Sequence, residues 1–130
     1  MTASTTLNAW APRVLSITRI MSGLLLLAHG TAKFLNFPAT DMHPPLSSLP
    51  GIAGVIELVC GVLIALGLFT RPAAFLASGM TAFAYFIAHF PKNFFPVANG
   101  GDAAVLFCFI FLYFIFAGAG PWSIDAQRGR

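Results

Sequence analysis

The sequence predicts an all-α integral membrane protein, a four-helix bundle with both termini on the cytoplasmic side. Three observations carry that reading. Only 8% of the 130 residues are charged and 58% are hydrophobic, whereas a soluble domain has about 25% charged residues. Four apolar runs divide the chain, each near the ~17–25 residues that carry a helix across a bilayer core. Lipid cannot satisfy a bare strand edge, so helices are the form such runs take. The length suits a single transmembrane domain over residues 1–130.

The first span is expected at residues 14–34. Three further runs follow it, so it reads as a retained span and not as a cleaved signal peptide. An outer loop at 35–51 comes next, with four prolines, Asp41 and His43. The second span covers 52–69. Only Thr70-Arg71 separates it from the third, 72–90, which opens on Pro72, where a helix tolerates proline. Spans joined that tightly must be antiparallel neighbours. "PKNFFPVANGG" leads to the fourth span, 102–119, with Asn99 and Gly100 suited to the turn. "GPWSIDAQRGR" then leaves the membrane near Trp122, a residue that favours the interface.

Basic residues set the orientation. Arg13, Arg71, Arg128 and Arg130 flank one side, with Arg19 near it, while Lys33 and Lys92 flank the other. The positive-inside rule places the first group in the cytoplasm, in a bacterial inner membrane, with the proline-rich loop outside.

Chemistry, if present, lies along a polar seam. At ~100° per residue, Arg19, Ser22, Gly23, His29, Gly30 and Lys33 share an arc of about 120° on the first helix. The second helix answers with Glu57 and with Gly54 and Gly61 on nearly the same face; small residues allow close backbone approach. The third carries Ser78, Tyr85 and His89 in one stripe. Asp102 opens the fourth, as a cap or as a first-turn acid complementing the dipole. At ~1.5 Å of rise per residue, His29, Lys33, Glu57, His89 and Asp102 all fall in the outer half of the bundle. These five are the candidate ligand-pocket residues, with Arg19, Tyr85 and Asn99 as supporting polar groups. An ionised group at mid-membrane costs about 2.5 kcal/mol or more. Glu57 therefore needs a partner, with His29 and Lys33 as candidates, or else a proton. The seam reads either as a pocket or proton path, or as an ion-pair network that fixes helix packing.

Other classes are set aside. The seven basic residues form no patch for nucleic acid. Cys60 and Cys108 form no CxxC motif and read as small buried hydrophobes. The three histidines lack zinc spacing, so no metal site is assigned. Phosphate-loop and Rossmann fingerprints are absent from the sequence.

Taken in order, these pieces resemble the DoxX family of small bacterial and archaeal membrane proteins. The matching residues are Arg19, the "HGxxK" of His29, Gly30 and Lys33, and "ELVCGVLIALGLFTR" with Glu57, Gly61, Gly67, Thr70 and Arg71. His89, the "NGGD" of Asn99 to Asp102, and "GPWSID" with Trp122, Ser123 and Asp125 complete the set, which runs from about residue 13 to 128. The resemblance implies a four-span helical protein associated with membrane redox systems, including thiosulfate-to-quinone electron transfer and oxidative-stress assemblies with soluble partners. The leading expectation is a membrane subunit of an oxidoreductase system, with quinone or another small molecule in the outer pocket. The chain has no metal or flavin motif, so a soluble or membrane redox partner would supply electrons. The expected contacts are the lipid bilayer, that partner and a second copy in a homo-oligomer. The rival readings are a non-enzymatic scaffold and a small oligomeric transporter.

Overall fold

The computed structural model describes residues 2–129. All regular elements among them are helical: α1 (Ala3–Leu35), α2 (Leu49–Leu66), α3 (Thr70–Ala84), α4 (Pro96–Asn99), α5 (Asp102–Ala117) and α6 (Ile124–Gln127). Helix α3 continues through a π turn, Tyr85–His89, and a 3-10 turn, Phe90–Lys92. Three stretches are long and apolar enough to cross a membrane: α1, α2 and Thr70–Lys92. Helix α5 is equally apolar but has 16 residues, about 24 Å of rise.

The first helix begins at Ala3, well before the expected residue 14. Hydropathy marks only the lipid-matched part of a helix. Here Thr2 caps the start by accepting from the Thr5 amide, and Pro12 is carried inside the helix. The turn between α2 and α3 also shifts. Gly67 takes a left-handed conformation (φ 69°), its amide bonds to Ile64 O, and Leu68 N bonds to Leu63 O. That paired arrangement ends a helix firmly. The connection is therefore Gly67–Phe69, and Thr70-Arg71 form the first turn of α3. At the far end of α3, Pro91 lacks an amide and crowds the carbonyl four residues back. The helix widens just before it, with Phe90 N bonding to Tyr85 O. Helix α5 stops at Ala117, two residues short of expectation, because Gly118 and Gly120 turn the chain with φ of 80° each.

Packing builds two pairs, α1 on α2 and α3 on α5, joined chiefly along α2 and α3. Glycine makes the first pair tight. A Cβ on Gly23 would stand 2.5 Å from Ala65 N, and one on Gly61 would stand 2.7 Å from the Leu27 backbone. The second pair sets small against large. Ala73, Ala74 and Ala77 of α3 and Phe107, Phe111 and Phe114 of α5 are buried in one core with Leu26, Cys60 and Ile64. Phe107 and Phe111 stack at 5.4 Å. Large apolar side chains such as Leu25, Phe75, Leu106 and Phe116 point outward. An exposed apolar surface of that extent suits lipid and not water. Helix α1 and the segment after α5 meet at one end of the bundle, where Ser16 bonds to Ala119 and Trp122.

The glycine contacts separate two otherwise similar substitutions. Gly79 faces open space on the surface of α3. Gly79→Ala is expected to leave thermal stability in detergent unchanged or raised by up to about 1 kcal/mol. Gly23→Ala is expected to lower it by about 1–3 kcal/mol through overpacking. Equal melting temperatures for the two variants would contradict the close α1–α2 contact.

Candidate functional site

The outer candidates fall into two groups. In the first, Lys33 Nζ of α1 donates to Glu57 Oε1 of α2 at 2.7 Å, with side chains only 12% and 9% exposed. It is the one ion pair among the described residues. The helices bring the charges together because Gly30 and Gly54 allow the backbones to close up on either side of them. A Cβ on Gly30 would stand 2.9 Å from Leu58 N, and one on Gly54 would meet Phe34 and the Lys33 stem. Lys33, and not His29, is thus the partner that Glu57 required.

His29 belongs to the same helix but is exposed on the bundle surface. Its Nδ1 bonds to Leu25 O at 2.9 Å. A carbonyl accepts, so Nδ1 carries the proton and Nε2 of the neutral ring is an acceptor. Nε2 has no partner among the described residues. The ring edge meets Phe107 of α5 with centroids 5.6 Å apart.

The second group sits where α3, α4 and α5 meet. Asn99 is buried, and its Nδ2 donates to Tyr85 Oη at 3.1 Å and to Asn93 O at 2.9 Å. Its Oδ1 accepts from Gly101 N, and its carbonyl bonds to His89 Nδ1 at 3.2 Å. Asn99 and Gly100 make the turn into α5 as their sequence indicates, Gly100 with φ 75°. Asp102 lies in the first turn of α5, exposed. Its side chain makes no hydrogen bond or ion pair among the described residues, so it complements the dipole without capping. Helices α1 and α5 touch only slightly, and the five candidates do not converge in one hydrogen-bonded cluster.

A third polar group lies at the opposite end; the sequence singled out Arg19, Thr70 and Asp125 but not Ser16 or the contacts that join them. Arg19 is 1% exposed. Its Nε donates to Ile64 O at 2.9 Å, Nη1 to Ala119 O, and Nη2 to Trp122 O at 2.9 Å and Ala65 O at 3.4 Å. Ile64 and Ala65 carry carbonyls of the last turn of α2, where a cation is favoured. Ser16, one turn before Arg19, donates to Ala119 O and accepts from Trp122 N. Asp125 accepts from Phe69 N and Thr70 N at 2.9 Å each, capping α3 from 55 residues away. Its own amide bonds to Gly67 O. Burial alone would raise the Asp125 carboxyl pKa. The Thr70 and Phe69 amides, with Arg128 nearby, outweigh it and hold the pKa below the ordinary carboxylate value. The Thr70 hydroxyl also favours the charged form but does not complete a hydrogen bond. Ser16 shared the Arg19 face and was detectable from spacing. The pairing of Asp125 with residues 69 and 70 left no local signal.

Two cavities open on the bundle. One of about 370 Å³ lies at the Arg19 end between the start of α3 and residues 117–121. Another of about 200 Å³ is lined by Tyr85, Phe86, Val105, Cys108 and Phe109. Neither is lined by His29, Lys33, Glu57 or Asp102.

An all-helical bundle with a lipid-suited surface and with Arg19, Lys33 and Glu57 turned inward is an integral membrane protein. The DoxX family model matches residues 14–90, and the chain belongs to the DoxX family. It is 43% identical over 128 residues to an uncharacterized protein of Haemophilus influenzae, covering 92% of this chain and 93% of that one. It is 30% identical over 144 residues to an uncharacterized membrane protein of Mycobacterium tuberculosis, covering 95% of this chain and 86% of that one. No solved structure is a significant match.

Two outcomes follow from these geometries. Glu57→Gln leaves a buried ammonium without its counter-charge and is expected to destabilise by about 3 kcal/mol. The double change Lys33→Met with Glu57→Met is expected to recover most of that loss. Unfolding of all three in one detergent measures it. For Asp125, the depressed folded pKa means the stabilisation is complete above the unfolded value of about 3.9 and fades as pH falls through the folded value. Asp125→Asn is expected to cost about 1–2 kcal/mol at pH 7 and to flatten the loss of stability below about pH 4. An unchanged acid limb in that variant would disprove the capping role.

Proposed function

We propose that this DoxX protein is a membrane subunit of a redox system in the bacterial inner membrane, holding the headgroup of a quinone-like molecule against α1 and α2. The observation that carries this reading is His29. At membrane depth a polar nitrogen without a partner is costly, and His29 is exposed with Nε2 unpartnered among the described residues. As an acceptor it suits a ligand hydroxyl, such as that of a reduced, hydroxyl-bearing quinone. The Lys33–Glu57 pair one turn further along supplies a fixed polar wall and a carboxylate able to take part in proton exchange. Lipid access through the thin α1–α5 contact fits a lipophilic ligand. The residues of this chain would bind, orient and hold protons, and a partner protein would carry the electrons. Basic residues at the Arg13, Arg71 and Arg128 end support a cytoplasmic placement of that end.

A scaffold reading has its own support. Arg19 and Asp125 spend their hydrogen bonds on backbone groups, and Lys33 and Glu57 satisfy each other. In that reading the seam only fixes helix order.

Organic extraction of the protein purified in mild detergent separates the two. Bound quinone in the wild type, reduced roughly tenfold in His29→Phe with the fold intact, is the expected result. Equal quinone content in both proteins, or none in either, sinks the ligand reading and leaves the scaffold.

A further inference from the structure

The 370 Å³ cavity at the Arg19 end is remote from the outer candidates and has its own chemistry. Its walls are Phe69 to Pro72, Ala117 to Pro121, and Asp125 with Ala126. The volume lies within the range of small-molecule sites, about 300–1,000 Å³.

Arg71 is its cation. Nη1 alone anchors the side chain, donating to Ile115 O and Phe116 O at 2.7 Å each. Those carbonyls belong to the last turn of α5, so the anchor also complements that helix end. Nε and Nη2 have no partner among the described residues. They form one edge of the guanidinium, the edge suited to two parallel hydrogen bonds with a phosphate or carboxylate. Gly118 lies against the face of the guanidinium and leaves that face uncovered. A Cβ there would stand 3.0 Å from Nη2 and 3.6 Å from Nε. Thr70 adds a buried hydroxyl, 1% exposed and without a hydrogen-bond partner among the described residues.

The charge around the cavity favours an anion. Asp125 lines it, but both carboxylate oxygens already receive backbone amides. Arg128 lies over the Phe69 ring at 5.2 Å, and Arg19 bonds to Ala119 in the opposite wall. Phe69 and Pro121 line it and are exposed, and Trp122, next in the chain to Pro121, is exposed too. Aromatic side chains in that setting mark the headgroup level of a bilayer. The cavity therefore sits where a lipid phosphate would sit.

We infer that the cleft between Arg71, Gly118 and Thr70 binds the phosphate of an anionic phospholipid headgroup, with the acyl chains lying along the α3–α5 surface.

Native mass spectrometry of the detergent-purified full chain with added phosphatidylglycerol or phosphatidylcholine tests this. The wild type is expected to retain phosphatidylglycerol preferentially. Arg71→Gln is expected to weaken that retention roughly tenfold, since a charge-assisted bidentate contact is lost. Arg71→Lys keeps the charge and reaches the α5 carbonyls, yet lacks the planar fork, so it too is expected to lose most of the preference. It carries the test if the glutamine variant does not fold. Retention in Arg71→Lys equal to wild type, or no preference between the two lipids in the wild type, overturns the inference. Inorganic phosphate in the millimolar range is the remaining arm. If it protects against thermal unfolding as well as the lipid does, and Arg71→Lys abolishes that protection, a free anion is the ligand and the lipid assignment is overturned.

Discussion

A buried arginine with no carboxylate in salt-bridge contact organises one whole end of this bundle. Arg19 spreads its guanidinium over carbonyls from the end of α2 and from the chain after α5. An unsolvated cation in a membrane must find acceptors, and helix C-termini supply them with partial negative charge. One side chain therefore ties α1, α2 and the C-terminal segment to a common point. Gly67 must be glycine there for two reasons: its φ of 69°, and Ser123 and Arg19 atoms standing within 3.0 Å of where a Cβ would lie. Asp125 then reaches back to cap α3. The helices are clamped at this end through backbone groups.

The opposite end follows a different rule. Lys33 and Glu57 neutralise each other directly, and the glycines flanking them hold the helices close enough for a 2.7 Å contact. Tyr85, His89 and Asn99 form a hydrogen-bonded knot around the turn into α5. Between the ends lies a dry core of alanine against phenylalanine. The buried ionised groups thus lie toward the two ends, which is where a protein in a bilayer meets headgroups, water and polar ligands.

These features bear on how a small membrane protein of this family could work with so few polar residues. Arg19, Lys33, Glu57 and Asp125 are engaged in holding the bundle. His29 through Nε2 and Arg71 through its Nε–Nη2 edge have unused capacity. They lie toward opposite ends of the bundle, and each is exposed. A ligand reaching either one can arrive from the lipid without opening the core.

Composition and hydropathy by themselves determined the class of protein, because a chain with 8% charge and four long apolar runs has no other stable solvent than lipid. Helical periodicity also found the Arg19–Lys33 seam and the glycines, since one face of one helix is a local property. Motif order was enough for the family. Helix ends were less legible: Gly67, Gly118 and Pro91 act through backbone geometry that hydropathy does not register. Only the tertiary structure decided which polar groups meet. Lys33 took Glu57, His29 turned outward, Asp102 stayed apart, and Asp125 paired with amides 55 and 56 residues earlier. Such pairings depend on helix rotation and on the path of the chain after α5, which no local spacing encodes.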